Sequence, residues 1–101
     1  MRIRRVEEGT YEIEITGEDD TIGHLFSTYL ELDDAVQLSY YQRPHPLEER
    51  IIIYVRLKDK NADVKEVFRK VAEKILADLD DLRERYLQAL ERAGVQRDEV
   101  L

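Results

Sequence analysis

The chain has 101 residues, 39% of them charged, with a formal net charge of −7 and no cysteine. This length allows one domain with one modest core, usually two packed layers. The lack of cysteine excludes disulfides, zinc ribbons and thiol chemistry and fits a cytoplasmic setting; no apolar run reaches the roughly eighteen residues of a membrane span, and the acidic surface argues against direct DNA or RNA binding.

The opening residues, Met1-Arg2-Ile3-Arg4-Arg5-Val6, are basic without the apolar stretch of a signal peptide. They alternate like a strand. Residues 2–7 and 10–16 read as a hairpin, because Tyr11, Ile13 and Ile15 alternate with Glu12, Glu14 and Thr16. Glu8-Gly9 supplies the turn. Gly17 ends the hairpin, and Asp20 or Thr21 is the expected N-cap of a helix from about Thr21 to Leu32. Glu18, Asp19 and Asp20 also complement the positive end of that helix. Its apolar face is Ile22, Leu25, Phe26, Tyr29 and Leu30, at helical spacing.

Residues 36–42 alternate again, which places Val36, Leu38 and Tyr40 on one side. Pro44-His45-Pro46 then makes a rigid corner, since each proline fixes its own φ and pushes its predecessor toward extended geometry. Arg50 to Leu57 is the most strand-like run, apolar on both faces for much of its length, and reads as an inner strand.

The last element is a long helix from about residue 61 to 92. Asn61 or Asp63 can cap it, with Glu66 completing a capping box. Glu66 with Lys70 and Asp81 with Arg85 are expected i,i+4 pairs. Val64, Val67, Phe68, Val71, Ile75, Leu79, Leu82, Tyr86 and Leu90 form one stripe, and Gly94 is the expected stop. Residues 95–101 read as a flexible tail after a single domain spanning 1–94. Such a helix is roughly 45 Å long, whereas strands of six or so residues reach only about 20 Å. Its far half must overhang the sheet, and Leu79, Leu82, Tyr86, Leu87 and Leu90 keep that half apolar. Contiguous exposed apolar surface marks an interaction site.

Two stretches carry a family resemblance. The first is Gly17-Glu18-Asp19-Asp20-Thr21-Ile22-Gly23-His24; the second is Tyr41-Gln42-Arg43-Pro44-His45-Pro46-Leu47. In this order and spacing, before a long carboxy-terminal helix, they resemble the small α-like assembly subunit of archaeal RNA polymerase, subunit L. That family's usual text is roughly G-E-D-H-T-L-G-N followed by Y-x-x-P-H-P-L. The motif positions carried over are Gly17, Glu18, Asp19, Thr21 and Gly23, then Tyr41, Pro44, His45 and Pro46. Asp20 departs where the family typically has histidine, and His24 where it has asparagine.

The resemblance implies an α+β, two-layer fold: about four mostly antiparallel strands with a short motif helix and a long C-terminal helix on one face. It also implies a non-catalytic scaffold that pairs with the larger α-like polymerase subunit (D in archaea), joins the small subunits N and P, and contacts the large catalytic subunits. The expected interface is Ile22, Leu25, Phe26 and Tyr29 from the motif helix with Ile75, Leu79, Leu82 and Tyr86 from the long one. A free-standing homodimeric adaptor using the same helices is the alternative reading.

No cofactor or metal site is expected. Glu18-Asp19-Asp20 lacks the alternating ligand layout of a calcium loop. His24 and His45 have no evident third ligand. Arg2, Arg4 and Arg5 read as a solvated strand face bridging to Glu12 and Glu14. No nucleophile triad, phosphate loop or metalloprotease signature is present.

Overall fold

The hairpin starts the sheet. In the computed structural model, which describes residues 1–94, β1 (Arg2–Glu7) and β2 (Thr10–Thr16) pair antiparallel. Gly9 turns the chain with φ +75°, a conformation that costs glycine nothing because it has no Cβ. β4 (Arg50–Leu57) lies beside β2, and β3 (Val36–Gln42) beside β4, so the order is β1-β2-β4-β3 and every pairing is antiparallel. β4 is an inner strand, as its composition predicts.

Alternation decides what each inner strand buries. Ile13 on β2 and Ile51, Ile53, Val55 and Leu57 on β4 point to one face. Both helices cover that face: α1 (Asp20–Leu32) and α2 (Val64–Arg92) contribute Leu30, Val64, Phe68, Val71 and Ile75 to the same core. Each fully buried aliphatic side chain here stabilises the fold by about 1.5–3 kcal/mol relative to exposure. The opposite face is open and carries ion pairs, including Arg4–Glu12 at 2.9 Å and Arg50–Glu14 at 3.6 Å.

The simple alternation expected for β3 fails. Val36 is buried, but Leu38 and Tyr40 are exposed, while Ser39 is buried and Tyr41 half-buried. A bulge is the reason: Val36 pairs with Leu57 and Leu38 already with Arg56, so the extra residue reverses the facing of everything after it.

The helix ends also differ in detail from expectation. Asp19, not Asp20 or Thr21, caps α1, its carboxylate accepting from the Thr21 N–H at 3.0 Å. Asp63 caps α2 by accepting from the Lys65 N–H at 3.0 Å. Glu66 is engaged by Arg69 at 2.7 Å, and Lys70 pairs with Asp33 at 3.1 Å, so the anticipated Glu66–Lys70 pair gives way to these alternatives. Asp81–Arg85 forms as expected at 3.1 Å. Gly94 stands at the end of α2 with φ +88°. The tail anticipated over 95–101 lies outside the described residues.

Candidate subunit interface

α2 changes environment halfway along. Val64, Phe68, Val71 and Ile75 are buried against the sheet and α1. At 100° per residue, Leu79, Leu82 and Tyr86 lie on the same side of the helix. They are nevertheless 47%, 62% and 56% exposed. The sheet ends and the stripe does not. Twenty-nine residues make α2 about 43 Å long, against about 27 Å for the eight residues of β4.

α1 lies alongside the inner half of α2. Phe26 stacks on Phe68 with ring centroids 4.9 Å apart and an interplanar angle of 12°. The Tyr29 hydroxyl donates to the Asp78 carboxylate at 2.9 Å, close to where the buried part of α2 ends. That hydrogen bond, more than burial, raises the Tyr29 pKa. Asp33 and Lys70 close the far end, forming a groove of about 410 Å³ that Leu32 and Val71 also line.

The eight candidate interface residues therefore divide. Leu79, Leu82 and Tyr86 are exposed; Ile22, Leu25, Phe26 and Tyr29 are half-buried around the core. Ile75 differs from the other seven: it is 4% exposed and packs in this chain's own core. Leu87, expected on the overhang with its neighbours, is buried too, apart from the central cluster. Helical periodicity passed over Leu32 and Leu76, which lie off the stripes and are well exposed. Leu32 stands between Glu31 and Asp33 and Leu76 between Ile75 and Ala77, and helical spacing sets neither apart.

The two family motifs meet in space. Gly23 is buried where α1 crosses Tyr41, and a Cβ there would lie 2.5 Å from the tyrosine Cδ2. Only glycine lets the helix backbone approach that ring. The Gly17 N–H donates to the Glu49 carbonyl at 2.6 Å, and the Glu48 N–H to the His45 carbonyl at 3.0 Å. Asp20, where the family typically has histidine, pairs with Arg43 at 3.2 Å and so ties the first motif to the second. His24 sets its ring edge-on to Tyr41 at 6.5 Å. Glu18 is half-buried; Asp19, Thr21, Pro44, His45 and Pro46 are exposed around this corner.

Among the described residues no three His, Cys, Asp or Glu side chains are grouped to hold a metal ion, and no helix is long and apolar enough to cross a membrane. What the surface offers is apolar area beside a pre-built helical pair.

Comparison with known proteins agrees with this geometry. Residues 10–85 match the RNA polymerase Rpb3/Rpb11 dimerisation domain. The chain is 42% identical over 94 residues to the DNA-directed RNA polymerase subunit Rpo11 of Aeropyrum pernix, covering 93% of this chain and 94% of that protein. It is 32% identical over 92 residues to the Rpo11 subunit of Metallosphaera sedula, covering 91% and 97%. The crystal structure of DNA-directed RNA polymerase subunit L from Thermoplasma acidophilum has the same fold, with a TM-score of 0.71 over 92% of this chain and 90% of that one at 22% identity. A stripe that outruns its own sheet, on a chain that shares this domain over most of its length, places the protein in the RNA polymerase Rpb3/Rpb11 dimerisation-domain family.

Proposed function

We propose that this chain is a non-catalytic assembly subunit of an archaeal DNA-directed RNA polymerase and works in the cytoplasm. It pairs with the larger α-like polymerase subunit, and the heterodimer then takes up the small subunits N and P and the large catalytic subunits. The observation that carries the reading is the exposed run Leu79, Leu82 and Tyr86, continuous with the core-facing stripe of α2. Ile22, Leu25, Phe26 and Tyr29 extend it from α1, and Ile75 supports it from beneath. An obligate interface of this kind buries on the order of 2,000 Å² or more and is mostly apolar.

The test is co-expression with the α-like partner of the same organism and affinity purification through high salt. Leu82→Asp puts an unpaired charge into the proposed contact, at a cost of several kcal/mol, and is expected to abolish recovery of that partner. Recovery equal to that of the natural chain overturns the assignment. Light scattering on the chain alone addresses self-pairing: a tight monodisperse homodimer that Leu82→Asp dissociates identifies a symmetric adaptor instead.

A further inference from the structure

The sheet has two edges, and they are defended differently. Unpaired N–H and C=O groups along an edge form a template for another strand, which chains normally block with charges, prolines or bulges. β1, at one edge, reads Arg-Ile-Arg-Arg-Val-Glu and has a bulge between Arg5 and Glu7. β3, at the other, reads Val-Gln-Leu-Ser-Tyr-Tyr-Gln, with no charge and no proline in 7 residues. Its bulge falls at the start, so Leu38 to Gln42 keep an unbroken register with β4.

The two sides of that edge have different chemistry. On the open face Leu38 and Tyr40 are 42% and 45% exposed, and Tyr40 stacks on Tyr54 of β4 at 4.7 Å. They form an apolar shelf running to the rim. On the other face, α1 turns toward the rim the flank opposite Phe26 and Tyr29. That flank carries Asp20, His24 and Glu31, and the contact of His24 with Tyr41 sets it over β3. Asp20 is occupied by Arg43. Glu31 has no ion-pair partner among the described residues.

We propose that the free edge of β3 is a strand-addition site for an extended segment of a partner protein in which apolar and basic residues alternate. The backbone ladder supplies affinity, and alternate side chains supply selectivity. Apolar residues of the incoming strand lie on the Leu38–Tyr40 shelf; basic ones lie on the α1 side, toward Glu31. This surface is separate from the α1–α2 face and does not depend on the identity of the partner there.

The probe is a capped, fluorescent heptapeptide alternating lysine and valine, titrated into the full chain and read by anisotropy. Two changes are each expected to weaken its saturable binding by about tenfold or more, equivalent to roughly 1.4 kcal/mol. One is N-methylation of alternate peptide bonds, which removes ladder donors without changing charge. The other is the double variant Leu38→Lys with Tyr40→Lys. Leu82→Asp, on the other face, is expected to leave binding unchanged. Equal binding of the N-methylated peptide reduces the effect to charge and overturns the proposal. So does absence of binding at about 1 mM, or loss of binding in Leu82→Asp. A homodimer that the double lysine variant converts to monomer by sedimentation also overturns it, because the occupant is then a second copy.

Discussion

The inner and outer halves of α2 are written in the same pattern and meet opposite surroundings. From Val64 to Ile75 the stripe is covered by β2, β4 and α1; from Leu79 to Tyr86 it faces outward. The difference teaches that amphipathicity specifies which side chains share a face and is silent about what covers them. A stripe reports a need for burial, and the lengths of the neighbouring elements determine whether the chain meets that need by itself.

Substitutions at matched positions can break or sharpen this contrast. The largest effect is expected on assembly: Leu82→Asp removes recovery of the partner while shifting the chain's own unfolding free energy by no more than about 0.5 kcal/mol, as for an ordinary surface change. Ile75→Ala, one helical turn inside the boundary, is expected to cost about 2–5 kcal/mol of the chain's own stability through lost burial and a residual cavity. Thermal or urea unfolding of the two variants reads the contrast directly; equal destabilisation would erase the distinction between the halves.

A smaller effect is expected at the motif corner. Gly23→Ala forces the Tyr41 ring away from α1, an overpacking cost of about 1–3 kcal/mol. Pairing it with Tyr41→Ala tests the cause. The double variant should be less destabilised than the two single costs added together, because the clash vanishes with the ring.

The smallest effect is electrostatic and confined to the exposed side of α2. Arg69 bridges Glu66 at 2.7 Å and Glu73 at 2.6 Å. Its hydrogen bond, then its charge, holds the Glu66 carboxyl below the usual carboxylate range. A depressed folded-state value means a contribution present above the unfolded pKa and lost as pH falls through the folded one. Arg69→Ala should return Glu66 to the ordinary range, followed by NMR titration of its side-chain carboxyl. An unmoved titration midpoint would rule out Arg69 as the cause. Both side chains are solvent-exposed, so the change in stability is expected to be slight.

Much of the fold was legible in the sequence. The strand boundaries of the hairpin, the inner position of β4, the Asp63 cap and the Gly94 stop follow from alternation, capping chemistry and turn residues, all set by near neighbours. The facing of β3 was not legible, because one inserted residue relative to β4 reverses it and that register exists only between strands. The Lys70–Asp33 pair was hidden for a similar reason: a lysine on α2 found a partner at the end of α1 instead of one on its own helix.

The candidate surface was legible in the same uneven way. Periodicity picked out Leu79, Leu82 and Tyr86, which are exposed, together with Ile75, which is not. Nothing in the stripe marks the boundary between them. The sequence by itself determined the elements, their apolar faces and the family motifs, because these depend on residues a few positions apart. The tertiary structure alone decided that Ile75 is core and Leu79 is surface, that Gly23 makes room for Tyr41, and that β3 is an edge strand of the sheet formed by the described residues. Each depends on where separate elements end relative to one another in space, a relation that side-chain spacing along one segment does not encode.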